Sequence, residues 1–169
     1  WQLSIELTER CHRAAIRTKT GLAPSIFYLD ERGTSTGANH QQNTSSPWWG
    51  RSHQLIHSLA ESYFVLFRLT KLNRFRDYAW QMARAIHEHC RCESGGYSSI
   101  YDVDQVPTVK ADYMKPQFLS GTLKYLYLTF LDENSDNNHG SNQSRIGKEI
   151  PLSLRSWLFT AYAHPLPVL

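Results

Sequence analysis

Residues 112–130 read Asp-Tyr-Met-Lys-Pro-Gln-Phe-Leu-Ser-Gly-Thr-Leu-Lys-Tyr-Leu-Tyr-Leu-Thr-Phe. Leu119, Leu123, Leu126, Tyr127 and Phe130 recur at helical spacing, which predicts a helix over about 116–131 with these residues on its apolar face. Upstream, Tyr97 to Val103 alternates like a short strand behind the turn Ser94-Gly95-Gly96. A helix is expected from Asn73, as N-cap, to about His89, with Phe75, Tyr78, Ala79, Met82, Ala83 and Ile86 as its stripe. Another is expected over about 53–70, where Leu55, Leu59, Tyr63, Leu66 and Phe67 line up. The first helix spans 1–18, with Leu3, Ile5, Leu7, Cys11, Ala14, Ala15 and Ile16 apolar, and Gly21 and Pro24 end it. Residues 30–50 and 132–149 are polar and read as loops. The tail from Trp157 to Leu169 is apolar, and Pro165 and Pro167 keep its end extended. The pattern is all-α, in long antiparallel pieces with a short β element.

The chain has 169 residues, which suits one domain or part of a larger one. With 18 basic and 15 acidic residues the formal charge is only +3, so no nucleic-acid partner is expected. Apolar residues make up 41%, enough for a packed core, yet no apolar run reaches the length of a membrane span. The chain opens on Trp1 rather than Met, and a processed, cut or incomplete N-terminus is the expectation. Cys11, Cys90 and Cys92 make an odd count, and a bridge between two cysteines two apart is strained. Asn43 and Asn142 each begin an Asn-x-Ser glycosylation tripeptide, a weak pointer to a secretory compartment.

Two clusters suggest chemistry. His87, Glu88, His89, Cys90 and Cys92 are all metal-ligand types, but neighbours on a helix point about 100° apart and cannot converge. Ser62, His57 and Glu61 contain the residue types of a nucleophile, base and orienter, but crowd onto one helix without a glycine-rich elbow. Glu61 stands among Leu59, Tyr63, Phe64 and Val65, so it is either solvated or held in a polar pocket.

Residues 112–130 resemble a signature of the class I α-1,2-mannosidases, the calcium-dependent, inverting glycoside hydrolases of family 47. Further segments agree in order. Thr18-Lys-Thr-Gly-Leu-Ala-Pro24 is similar to the family's Thr-Gly-Leu-x-Pro-Glu stretch. Leu55 to Arg68 resembles its Arg-Pro-Glu motif and the helix that follows. Ser94 to Ile100 looks like the endoplasmic-reticulum branch, and Ala163-His-Pro-Leu-Pro167 like the end of Asn-Thr-Glu-Ala-His-Pro-Leu. The resemblance implies that residues 1–169 form the C-terminal third or so of the family's (α/α)7 barrel. It also implies that Cys11 is half of a disulfide whose partner lies upstream, and that the compartment is the endoplasmic reticulum or Golgi lumen, or the exterior. Mannose-containing N-glycans are the implied partners.

The departures fall on the chemistry. An inverting glycosidase sets an acid and a base carboxyl about 6.5–9.5 Å apart. The family's acid comes from its N-terminal part, and its proposed base is the Glu of Arg-Pro-Glu, where this chain reads Ile56-His57-Ser58. The family's calcium threonine is Ala161 here, which keeps a carbonyl and loses the hydroxyl, and the Glu after it is Tyr162. Ser25 and Gly121 replace two further Glu residues, and Gln117 replaces the sugar-stacking Phe. Calcium wants several anionic oxygens, so it is expected to bind weakly or not at all. Glu61 alone among the alignable pocket residues keeps its family identity, as a substrate contact. The expectation is a catalytically inactive mannosidase-like chain; the alternative is a glycan-binding module without hydrolysis, using Glu61, Trp48 and Trp49. An arc of a barrel leaves apolar flanks open, so self-association, or a need for the missing N-terminal part, is also expected.

Overall fold

The computed structural model describes residues 1–26, 28–29, 35–36, 48–56, 58–131, 157–160 and 162–168. The expected loop 132–149, His57, Ala161 and both Asn-x-Ser sites lie outside the described residues, as do the side chains of Trp48 and Trp49. Four α-helices carry the structure: α1 (Gln2–Ile16), α2 (Ser58–Thr70), α3 (Asn73–Cys90) and α4 (Lys124–Phe130). Two small antiparallel hairpins accompany them. One pairs β1 (Tyr28–Leu29) with β2 (Ser35–Thr36), and the other pairs β3 (Trp157–Phe159) with β4 (Pro165–Pro167). No described helix is long and apolar enough to cross a membrane.

Helix α2 is the hub. Its Tyr63 and Phe64 are fully buried, together with Phe75 of α3, Tyr125 of α4 and Phe118. Tyr125 and Phe159 pack their rings around Phe64 at centroid distances of 5.5 and 5.8 Å. Arg68 lies over the same ring at 5.5 Å and donates from its Nη2 to the carbonyls of Leu128 and Leu131, which the end of α4 leaves without helical partners. The α2–α3 connection is tight because Lys71 takes a left-handed φ of 57° and its N–H donates to Phe67 O.

Several expectations need correction. Helix α2 begins at Ser58, not 53, because His53 exchanges both backbone hydrogen bonds with Ile100 and Leu55 adopts φ 57°. Leu72, not Asn73, is the N-cap of α3, and no side chain caps it. The segment 97–103 is no strand but a set of single bridges, His53↔Ile100, Ile100↔Lys110 and Arg91↔Tyr97. The helix expected over 116–131 starts with a π-helical turn, Phe118–Leu123. Its buried residues are Phe118, Gly121, Thr122, Tyr125, Leu126, Leu128 and Thr129, so of the expected face Leu126 is buried whereas Leu119, Leu123 and Tyr127 face outward. Helix α1 is likewise turned: Thr8, His12, Ala14 and Ala15 are buried, while Leu3, Leu7 and Ile16 are exposed.

Polar and aromatic contacts hold α1 in that orientation. The His12 ring stacks on Tyr78 at 3.6 Å, and its Nδ1 lies 2.9 Å from the Tyr63 hydroxyl. Glu9 pairs with Arg74 at 3.2 Å. Burial lowers the His12 pKa from 6.5 to about 4, and burial also lowers that of His53, against the raising effect of its bond to Ala23. In the unfolded chain His12 protonates near pH 6.5; in the folded chain it does so only near pH 4. Between these values the unfolded state binds more protons, so stability falls as the pH drops through that window. Urea unfolding is expected to show about 3 kcal/mol less stability at pH 4 than at pH 7 from His12. His12→Phe should flatten that dependence while lowering stability at pH 7, because the Tyr63 hydroxyl loses its partner.

Candidate functional site

The segment Ala23–Ser25 runs beside Ser52–His53. Ser25 N–H and Ser25 Oγ both donate to the carbonyl of Ser52 at 2.8 Å, and Ile26 N–H donates to Gly50 O. His53 Nδ1 donates to Ala23 O at 2.7 Å, which leaves Nε2 as the unprotonated, acceptor nitrogen; it is buried with no partner among the described residues. Burial holds this ring neutral.

The chain then turns sharply into α2. Leu55 is fully buried with φ 57°, a left-handed conformation that a leucine adopts only under constraint. The constraint comes from across the core: Thr122 Oγ1, in the π turn, donates to Leu55 O at 2.8 Å. π turns inside helices recur at functional sites. This one brings Thr122 to the bend immediately before Ser58. Lys124, two residues on, donates through Nζ to Ala163 O at 2.7 Å, and Ala163 also has φ 57°. The π turn and the first residue of α4 therefore hold two separate backbone bends.

Between these strands of chain lies a pocket of about 150 Å³. Ala23, Pro24, Ser25, His53, Gln54, Ile56, Ser58, Leu59 and Met82 line it. Ser58 is the exposed first residue of α2. None of the described lining residues is acidic. Ser25 and Ser58, thirty-three positions apart in the sequence, thus meet at one cavity. His53, Gln54 and Met82 also line it, and sequence reasoning missed all three. Reading 53–70 as one helix hid the first two, and Met82 was absorbed into the core stripe of α3.

Glu61 lies in the first turn of α2, half-buried, and is not among the residues lining that pocket. Its Oε1 accepts the Tyr125 hydroxyl at 3.2 Å. Burial, and then the charge of Glu61, push the Tyr125 pKa upward, so the phenol stays protonated and donates. Ser62 Oγ donates to Ser58 O at 2.9 Å and does not turn towards Glu61. The cluster at the end of α3 diverges: His87 approaches Tyr97, and Cys90 is fully buried, its thiol pushed up to about 12 chiefly by burial. Cys11, Cys90 and Cys92 are all thiols. Among the described residues no three His, Cys, Asp or Glu side chains gather as a metal site.

The glycosyl hydrolase family 47 description matches residues 1–168. The mannosyl-oligosaccharide 1,2-α-mannosidase mans-2 of Caenorhabditis elegans is 33% identical over 167 residues, which is 99% of this chain and 24% of that protein. The mannosyl-oligosaccharide 1,2-α-mannosidase IA of Sus scrofa is 33% identical over 168 residues, 99% of this chain and 22% of that protein. Among solved structures, an α-1,2-mannosidase from Trichoderma reesei superposes with a TM-score of 0.73 at 25% identity, covering 99% of this chain and 34% of that one. The helices are therefore an arc of an α/α barrel. The chain spans about a quarter of the length of these curated relatives.

Removing the clamp on the bend should be costly. Thr122→Val keeps the shape and leaves the buried Leu55 carbonyl without its donor, so a loss of about 1–3 kcal/mol is expected in chemical denaturation. Ser120→Val, whose hydroxyl reaches only Pro116 O on the same turn, should cost less than about 1 kcal/mol.

Proposed function

Since the chain belongs to glycosyl hydrolase family 47, we propose that it is a mannosidase-like chain that does not hydrolyse mannosides by itself. The observation that carries this is the lining of the pocket. Ser25 and Ser58, where the resemblance implies carboxylates, both line it, and none of the described lining residues is acidic. Inverting hydrolysis needs a carboxylate to take a proton from water and a carboxylic acid to protonate the leaving oxygen. A serine hydroxyl does neither near neutral pH. His53 does not replace the base: its Nδ1 is committed to Ala23 O and its Nε2 is enclosed.

Calcium, which the family resemblance implies, does not fit the residues present. The ion prefers six to eight oxygens, many of them anionic. Here the described residues lining the pocket offer hydroxyl and amide oxygens but no carboxylate, Gly121 offers no side chain, and Ala161, at the family's calcium position, has lost the hydroxyl. No chemical step is assigned to the ion.

Mannose-containing N-glycans and the lumen of the secretory pathway are the ligand class and compartment we assign, on the family resemblance. Glu61, oriented by Tyr125, is the acceptor we assign to a sugar hydroxyl. The neutral hydrogen-bonding groups of Ser25, Gln54 and Ser58 suit a hydroxylated, uncharged ligand, which supports a second reading: glycan binding without turnover.

The test is release of mannose from an α-1,2-linked oligomannose by the purified chain. The expected rate is indistinguishable from the uncatalysed one, and at least about 100-fold below that of an intact family enzyme under the same conditions. Ser58→Glu alone is expected to leave it there. Turnover by the native chain that Ser58→Ala abolishes would refute the proposal. A sugar titration without turnover would favour the second reading.

A further inference from the structure

The cavity beside the start of α2 has two unlike walls. One is apolar, made by Pro24, Ile56, Leu59 and Met82. The other is polar and neutral, made by Ser25, His53, Gln54 and Ser58. At about 150 Å³ it matches the size of a cavity that holds benzene, so it takes a molecule of about six non-hydrogen atoms.

The polar wall sets what that molecule must carry. His53 is 4% exposed and its Nδ1–H is committed to Ala23 O, so Nε2 is a buried acceptor with no partner among the described residues. An acceptor left unpaired in the interior is costly, and a donor brought into the cavity that His53 lines relieves it. Ser58 and Leu59 are the first two residues of α2, a helix of 13 residues, and the first N–H groups of a helix have no partner within it. The positive end of α2 thus borders a cavity whose described lining holds no acid.

A carboxylic acid answers both demands from one carbon atom. Its O–H donates to Nε2, and its carbonyl oxygen accepts from the start of α2. A bare carboxylate would set its lone pairs against that of Nε2, so the acid enters with its proton. Burial holds His53 neutral in the free chain, so that proton is not already there. The charged groups nearest along the chain are engaged elsewhere: Glu61 accepts from Tyr125, and Arg51 pairs with Asp102 at 2.8 Å. None of these three lines the cavity. The apolar wall suits a short unbranched alkyl chain.

We infer that this cavity binds a short-chain aliphatic monocarboxylic acid, of about the size of butyric acid, together with one proton. The carboxyl group lies between His53 Nε2 and the first turn of α2, and the alkyl chain lies against Ile56, Leu59 and Met82. The inference does not rest on the absence of hydrolysis; either can fail while the other stands, because acid binding is read without any glycan.

An NMR titration of the isotope-labelled 169-residue chain with sodium butyrate tests it, read at the amides of Ser58 and Leu59. The complex holds a proton that the separate partners do not, so between about pH 6 and pH 8 the apparent Kd should weaken about tenfold per pH unit. At fixed pH the affinity should rise about three- to fourfold per methylene from acetate to butyrate, and stop rising once the chain outgrows the cavity. Ser58→Glu places a tethered carboxyl at the same spot, where an acid also suits the helix end, and should weaken butyrate binding at least about tenfold. His53→Asn keeps a donor for Ala23 O but removes Nε2, and should abolish the pH dependence. If that variant does not fold, Ser58→Glu, at an exposed position, still decides. No binding of millimolar butyrate at about pH 6, equal binding across the pH range, or binding that Ser58→Glu leaves intact overturns the inference. So does displacement of butyrate by an equal concentration of methyl α-mannoside, which would mean that the cavity prefers a sugar.

Discussion

Thr122 Oγ1 donates to the carbonyl oxygen of Leu55 across 2.8 Å, and both residues are fully buried. Leu55 is bent into a left-handed conformation that leucine disfavours, and this bond is what satisfies its carbonyl inside the core. Because the bend is held, α2 starts at Ser58 and points Tyr63 and Phe64 into the helix packing. Because α2 is so placed, Arg68 reaches the end of α4, and the hydroxyl of Tyr125 reaches Glu61. The pocket beside Ser58 is a by-product of the same bend.

That arrangement separates two kinds of residue. Groups that hold backbone in place are present and engaged: Thr122 on Leu55, Lys124 on Ala163, Arg68 on Leu128. At the pocket the described lining carries the hydroxyls of Ser25 and Ser58 and the neutral ring of His53, and no carboxylate. A barrel can lose the second kind and keep its shape, because a buried carboxylate costs desolvation and contributes little to packing. The proposed loss of turnover therefore needs no loss of fold.

The four helices were legible because each carries a run of large apolar residues at helical spacing. Which side of each helix is buried was not. Leu119, Leu123 and Tyr127 are as apolar as Phe118, Tyr125 and Leu128, and spacing cannot choose between two apolar faces on one helix. The π turn settled it by shifting the phase within the segment. On α1 the polar Thr8 and His12 are buried beside Ala14 and Ala15 while Leu3 and Leu7 are not, because Tyr63 and Tyr78 offer His12 a hydrogen-bonding and stacking site. At the candidate site, Ser25 and Ser58 were found through the resemblance. His53 and Gln54 were missed because two hydrogen bonds to Ile100, invisible in the local sequence, stop the helix short.

A thermal melt followed by far-ultraviolet circular dichroism, with millimolar calcium and again with chelator, bears most directly on the account that the scaffold persists without the charged pocket. The account predicts one cooperative transition at the same temperature in both. A midpoint that rises with calcium would mean that an ion binds the folded chain and stabilises it by mass action, and would contradict the account.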